Sequence, residues 1–382
     1  MMKRAATIRW RIGCALVSLV LFALPLHAEE IPSLRFIKAS SGLPDSEPQG
    51  SEGGWTGLAF GDVNGDGRPD LAAVARKGDG AHVFLREGES WREASTGLLR
   101  HFSGRWGVRF ADINGDGRLD LVTSGGEVFL GDGKGNWRLA AQLPFEGEDV
   151  AIGDVNHDGR PDLAIIGHLS GGIRVFLQDG KGGWVETSQG LPTREGGHKL
   201  TFVDVNKDGH LDLVGTVSYE LGVWLGDGKG HWRKAAEGLP RANCWGIAVA
   251  DLDQDGYPDL VVGCLDPEGI HVFLGDGKGS WRPLATKGLP RSGLYLDVAL
   301  ADFNGDGRLD LIAGSYDGRI QVFFGDGKGD FTEVQVVGLP AKVGRPETIV
   351  VGDRDGDGLR DLGIAAYQGG VQVWRTAGAV RR

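Results

Sequence analysis

The chain has 382 residues, 66 of them glycine, and a formal net charge of −11. That much glycine without a Gly-X-Y period excludes collagen, and 41% hydrophobic residues with 11 tryptophans exclude a disordered chain. Long helices are excluded because an interior glycine costs a helix roughly 1 kcal/mol, and the acid excess excludes a nucleic-acid partner, which needs a basic face.

Lys3, Arg4, Arg9 and Arg11 precede an apolar run over 12–26, and Leu26-His27-Ala28 precedes Glu29-Glu30. Basic, apolar, small is the order of a secretory signal peptide, and the run is shorter than the roughly 20 residues that span a bilayer. Residues 1–28 are therefore expected to be a cleaved leader, an uncleaved anchor being the alternative. Cleavage leaves residues 29–382 as one domain, secreted or periplasmic. Cys244 and Cys264 remain, free to join in an oxidising compartment or to sit as small buried strand residues.

Self-similarity decides the architecture. DVNGDGRPD at 62–70 returns at 112–120, 154–162, 204–212, 251–259, 302–310 and 353–361, with starts 42 to 51 residues apart. Such a period indicates a propeller or a solenoid. Before each copy runs an alternating stretch such as Leu58-Ala59-Phe60-Gly61, which predicts a strand. After it come Leu and a second apolar run, then a third run ending in Phe84, Phe129, Phe176, Trp224, Phe273, Phe323 or Trp374. Five of these feed a DGKG or closely related turn, a hairpin signal. A fourth strand opens with Trp91, Trp137, Trp184, Trp232, Trp281 or Phe331 and in most repeats closes in Leu-Pro.

The last repeat stops after its third strand. The missing fourth-strand pattern stands at the front of the chain, where Phe36 begins a stretch that closes in Gly42-Leu43-Pro44. The fold predicted is all-β: a seven-bladed propeller of four-stranded antiparallel blades. Residues 34–42 are expected to complete the last blade and close the ring.

The repeated loops have the form D-x-[DN]-x-D-G-x-x-D. The candidate metal ligands are Asp62, Asn64, Asp66 and Asp70; Asp112, Asn114, Asp116 and Asp120; Asp154, Asn156, Asp158 and Asp162; Asp204, Asn206, Asp208 and Asp212; Asp251, Asp253, Asp255 and Asp259; Asp302, Asn304, Asp306 and Asp310; and Asp353, Asp355, Asp357 and Asp361. An all-oxygen, mostly carboxylate cage suits a hard cation, and its size and flexibility favour Ca2+ over Mg2+, at up to seven sites. The twelfth position, where an EF-hand places Glu, holds Ala73, Thr123, Ile165, Gly215, Val262, Ala313 and Ile364. The flanks are strands, so these are β-hairpin loops.

The pattern resembles the FG-GAP/VCBS repeats of integrin α subunits and of many exported bacterial proteins, over about residues 31–375. The resemblance implies calcium in loops joining the first two strands of each blade, with partners often on the opposite face. Some similar propellers are lectins, and others in the wider group are polysaccharide lyases. Function should lie where the repeats differ. Trp106 and Trp245 stand six residues before a loop aspartate, a place held by Glu148, His198 and Glu347 in other repeats, and so are expected near the mouth of the central channel. Arg105, Trp106, His198, Arg241, Trp245 and Tyr295 are the candidate ligand-binding residues, because aromatics stack on sugars and arginine pairs with acids. The expected function is a non-catalytic binding or adhesion module for a glycan or an extracellular or periplasmic protein. A polysaccharide lyase and a scaffold subunit of an exported complex are the alternatives. Apart from a grouping of His101, His198 and Glu148, no arrangement suggests catalysis.

Overall fold

A computed structural model describes residues 32–47, 54–76, 80–98, 107–168, 171–217 and 219–380. The expected leader, Arg105 and Trp106 lie outside them. Among the described residues there are 28 strands and no helix, hence none long and apolar enough to cross a membrane.

The first strand is β1 (Ser33–Lys38). Six sets of four follow: β2 to β5 (Trp55–Gly61, Asp70–Ala75, Ala81–Glu87, Ser90–Glu93), β6 to β9 (Val108–Ala111, Asp120–Thr123, Glu127–Gly131, Trp137–Gln142), β10 to β13 (Asp149–Gly153, Asp162–Ile166, Ile173–Gln178, Trp184–Glu186), β14 to β17 (Gly197–Val203, Asp212–Val217, Glu220–Gly226, Trp232–Lys234), β18 to β21 (Asn243–Ala250, Asp259–Asp266, Glu268–Gly275, Trp281–Leu284) and β22 to β25 (Tyr295–Ala301, Asp310–Ser315, Ile320–Gly325, Phe331–Val337). The last three are β26 (Arg345–Gly352), β27 (Asp361–Tyr367) and β28 (Gly370–Val380).

Each of the first five sets is an antiparallel four-stranded meander, and together with the remaining strands they form an all-β propeller. The second strands run through the middle: Leu71, Ala72, Ala73 and Val74 are fully buried, as are Leu163, Ala164, Ile165 and Ile166. That explains why they read as continuous apolar runs, whereas the first strands alternate.

Where seven separate sheets are expected, the hydrogen-bonded sheets number six. The cause is β1. It pairs antiparallel with β28, Phe36 opposite Thr376 and Lys38 opposite Trp374, as the terminal pattern predicts. It also pairs parallel with β25, Ser33 opposite Gln335. That second ladder fuses β22–β25 with β26–β28 into one eight-stranded sheet.

Neighbouring sheets are joined by two repeated contacts. The indole N–H groups of Trp91, Trp137, Trp232 and Trp281 donate to Ala39, Ala94, Thr187 and Ala235 carbonyls in the preceding repeat. The glycine of each Gly-Leu-Pro end lies against the backbone of the next fourth strand. A Cβ on Gly97 would sit 2.0 Å from the Trp137 carbonyl oxygen, and one on Gly338 would sit 2.0 Å from that of Phe36. Both glycines have φ above +90°, so no other residue serves there. The Gly338–Phe36 contact puts Phe36 in the place that Trp137 holds elsewhere. Between the second and third sets the chain reads Gln142-Leu143-Pro144, and the contact is missing.

Cys244 and Cys264 form a disulfide between paired positions of β18 and β19, which settles the alternatives left open by the sequence.

Phe36 is 2% exposed and packs with Trp374, Leu362 and Val334. Phe36→Ala is expected to destabilise the fold by about 3–5 kcal/mol, the usual cost of truncating a buried aromatic. Urea unfolding of both proteins measures it, and a loss below about 1 kcal/mol would mean that β1 does not hold the ring.

Candidate functional site

The acidic hairpins all stand at the end of the first strands, and each is folded inward by its own backbone. In the first, Asp62 Oδ1 and Oδ2 accept the N–H groups of Asp66 and Gly67 at 3.0 and 2.8 Å, and Asp66 Oδ1 accepts Arg68 N–H at 2.9 Å. The other hairpins repeat much of this pattern. The carboxylates are thereby turned into the loop.

The ninth-position aspartates do something the sequence does not announce. Asp70, Asp120, Asp162, Asp212, Asp259, Asp310 and Asp361 are all fully buried. One oxygen of Asp310 accepts Phe303 N–H at 2.9 Å from the loop start, and the other accepts Gly325 N–H at 3.0 Å from the third strand. The same two bonds recur in every repeat, Asp70 taking Val63 and Arg86 and Asp361 taking Arg354 and Thr376. Burial raises these carboxyls, against the pull of their backbone bonds, and neighbouring loop aspartates push the same way. Asp70, Asp162, Asp212, Asp259 and Asp361 are pushed up to about 6 and Asp310 to about 7.

Carboxylate oxygens of Asp251, Asp253 and Asp259 lie within 4.8 Å of one another, as do those of Asp353, Asp355 and Asp357. Asp251 Oδ1 and Asp355 Oδ1 are buried without a hydrogen-bond donor. Buried anionic oxygens in this state are costly unless a cation meets them. These residues thus have the chemistry to hold a hard divalent ion. In other loops an arginine two residues on takes part of the charge, as Arg118 does for Asp116 at 3.2 Å and Arg308 for Asp306 at 2.5 Å. The fifth and seventh loops have Tyr257 and Leu359 there and four aspartates each.

First strands carry the variable residues at their other end, about 20 Å away at 3.3 Å per residue. A channel of 540 Å³ is lined by first strands of every set. Lys199 reaches from β14 to Asp297 Oδ2 on β22 (3.5 Å) and Thr348 Oγ1 on β26 (3.4 Å), and Arg109 pairs with Asp149 at 3.0 Å. The charges in the channel are therefore largely paired.

At its rim, His198 stacks on Trp245 with ring centroids 4.1 Å apart. Burial first, then nearby His168 and Lys199, lower His198 to about 4 and keep it neutral. His168 Nδ1 meets the buried carboxylate of Glu148. His198, Trp245, His168 and Tyr219 line a cavity of 270 Å³. An adjoining cavity of 660 Å³ shares Tyr219 and adds Trp224, Glu195, Glu220, Lys234 and Arg241. Tyr219 is 64% exposed and held in the left-handed region at φ 65°.

The structure thus brings three expected ligand residues, His198, Trp245 and Arg241, to two cavities that meet at Tyr219. Tyr295 is elsewhere: it is 3% exposed, in the core, with its hydroxyl 2.6 Å from Gln321 Oε1. Tyr219 and His168 join the expected residues at the two cavities. The cue for Tyr219 was an aromatic in the turn between a second and third strand, where an apolar contact is not required.

A family profile for the FG-GAP-like repeat matches residues 62–123, 154–215, 204–262, 251–313 and 302–364. The chain belongs to the FG-GAP-like repeat family. All seven acidic loops fall inside the matched FG-GAP-like segments. Two solved structures are similar in fold. An Agrocybe aegerita lectin, described for specific recognition of non-reducing terminal N-acetylglucosamine, is 18% identical, with 74% of this chain and 79% of that chain covered at a TM-score of 0.51. A crystal structure of BBS1N in complex with ARL6DN, soaked with lead, is 13% identical, with 90% and 98% covered at a TM-score of 0.56. Comparison with curated proteins gives no match.

Asp310→Ala leaves two buried backbone N–H groups without an acceptor. The expected cost is about 2–4 kcal/mol even in chelator, at about 1–3 kcal/mol per orphaned group with partial relaxation. Chemical denaturation in a chelating buffer reads it, and an unchanged midpoint there would remove the structural role given to this carboxylate.

Proposed function

We propose that this FG-GAP-like protein is an exported, calcium-stabilised binding propeller that takes a glycan at the rim opposite its acidic hairpins. On this reading it has seven blades, the eight-stranded sheet counting as two joined through β1. Residues 1–28 direct export, which the Cys244–Cys264 disulfide favours, and residues 29–382 form one secreted or periplasmic domain.

Calcium is held by the first, third, fifth and ninth side chains of each hairpin, the twenty-eight residues named above. The fifth and seventh loops, with most carboxylates and the orphaned Asp251 and Asp355 oxygens, are the tightest. Bound there, the ion supplies positive charge that offsets carboxylate repulsion. It takes no part in ligand chemistry at the far end.

The observation that carries the binding role is the meeting of two cavities at exposed, strained Tyr219. Strained backbone persists where surrounding structure over-determines it, and such residues cluster at ligand sites. A phenol ring offers a flat face for the C–H face of a sugar. Glu195, Glu220 and Arg241 beside it supply donors and acceptors for hydroxyls. Among proteins of similar fold, the Agrocybe aegerita lectin recognises a terminal N-acetylglucosamine, which makes a sugar the first ligand class to try. Arg105 and Trp106, expected at the channel mouth from their place in the repeat, lie outside the described residues.

A glycan array with the mature protein in calcium tests this. Tyr219→Ala should lose at least tenfold in affinity, about 1.4 kcal/mol, without a change in melting temperature. Retention of every glycan by the variant would exclude the site, and no retained glycan with the parent protein would exclude the ligand class. Release of unsaturated sugar products would instead favour the lyase, with Glu148 and His168 as its acid–base pair.

A further inference from the structure

The acidic end of the propeller carries one contact that neither the loops nor the rim uses. His157, at the fourth position of the third hairpin, places Nε2 3.0 Å from Nδ1 of His210, at the seventh position of the fourth hairpin. The ring centroids are 5.2 Å apart with planes inclined by 47°.

The fourth position is left-handed wherever it is described: φ is 72° at Gly65, 74° at Gly115, 75° at Gly305 and 77° at Gly356, against 59° at His157, 57° at Lys207 and 60° at Gln254. Four loops thus use glycine, the residue that adopts this conformation freely, and three accept the strain of a side chain. In all three that side chain reaches the next repeat. Lys207 Nζ lies 5.5 Å from the Tyr257 ring centroid. Gln254 Nε2 lies 3.3 Å from where a Cβ on Gly327 would stand. The fourth position of one hairpin is therefore the strap to its neighbour.

At the seventh position the family of loops prefers a cation: Arg68, Arg118, Arg160 and Arg308, with Tyr257 and Leu359 as exceptions. Only the fourth loop has histidine there. A departure from glycine and a departure from arginine thus coincide at a single joint, and both install imidazole.

We propose that His157 and His210 form a binding site for a borderline divalent transition-metal ion, Zn2+ first, bridging the third and fourth hairpins. Zinc–imidazole bonds of about 2.0–2.1 Å place two nitrogens 3.0 Å apart at roughly 90–95° about the ion. The two nitrogens now face each other nearly head-on, so a separation of about 0.3–0.4 Å together with a tilt of both rings toward the ion opens that to the tetrahedral angle. Neutral imidazole selects such ions over calcium, which takes oxygen. Binding the ion replaces the N–H···N contact between the rings, and the proton of that contact leaves to solvent. Two coordination positions stay with water or with a donor from another molecule. The site would clip two adjacent hairpins together and is independent of the glycan reading.

Calorimetric titration of Zn2+ into the intact protein, with calcium in excess so that the acidic loops are filled, tests it. His157→Gly and His210→Arg each install the residue that sister loops carry, so both variants should fold, and thermal melts in calcium check this. His231→Asn removes the exposed imidazole that pairs with Asp227 at 2.8 Å and serves as the control. The parent and His231→Asn should each bind one equivalent that either of the other variants loses by tenfold or more in affinity. Electron paramagnetic resonance of the Cu2+-loaded parent should show two coupled nitrogens. No zinc uptake by the parent, equal uptake by His157→Gly, or loss in the His231→Asn control would overturn the proposal.

Discussion

In each repeat a buried carboxylate accepts one N–H from the start of the acidic hairpin and another from the third strand. Asp259 does this with Leu252 and Gly275, at 2.8 and 3.0 Å. These two bonds fix where the hairpin leaves the first strand, because burial penalises any arrangement that frees either amide. They also fix the direction in which the remaining carboxylates converge. The loop geometry therefore follows from strand geometry, and it recurs because the strands recur.

The same constraint creates the electrostatic problem of the fold. Three aspartates in each of five loops and four in the other two are gathered at one end, with only partial relief from residues such as Arg118 and Arg308. Burial first, and the neighbouring loop aspartates after it, raise the proton affinity of Asp310 and Asp70. Calcium would relieve it. Concentrating charge at one end also leaves the opposite rim free to vary, and there the repeats diverge into His198, Trp245 and Tyr219.

Strand order, the hairpins and the return of the N-terminal segment to the last repeat were legible because each rests on a local, repeated pattern. Phe36 could be matched to Trp281 by spacing alone. What was not legible depends on contacts between strands that are distant in sequence. Parallel pairing of Ser33 with Gln335 merges two sheets, and no local pattern encodes it. The ninth aspartate reads as a metal ligand, while its two backbone bonds appear only once the third strand is folded beside it. Tyr295 reads as a rim aromatic but turns into the core, where Gln321 satisfies its hydroxyl. His157 and His210 are 53 residues apart and meet only because β10 and β14, which lead into their hairpins, lie side by side. Of the six expected rim residues, His198, Trp245 and Arg241 line two cavities that share Tyr219, because position along the first strand gives an end of the sheet without fixing side-chain direction.

The account turns on divalent ions neutralising the acidic end. Elemental analysis of protein purified without chelator, paired with thermal melts in calcium and in chelator, addresses it most directly. The account predicts several calcium ions per chain, up to seven, and a melting temperature many degrees lower in chelator, since each site held at a hundredfold its dissociation constant contributes about 2.7 kcal/mol. Protein that carries no calcium and melts alike in both buffers would contradict it.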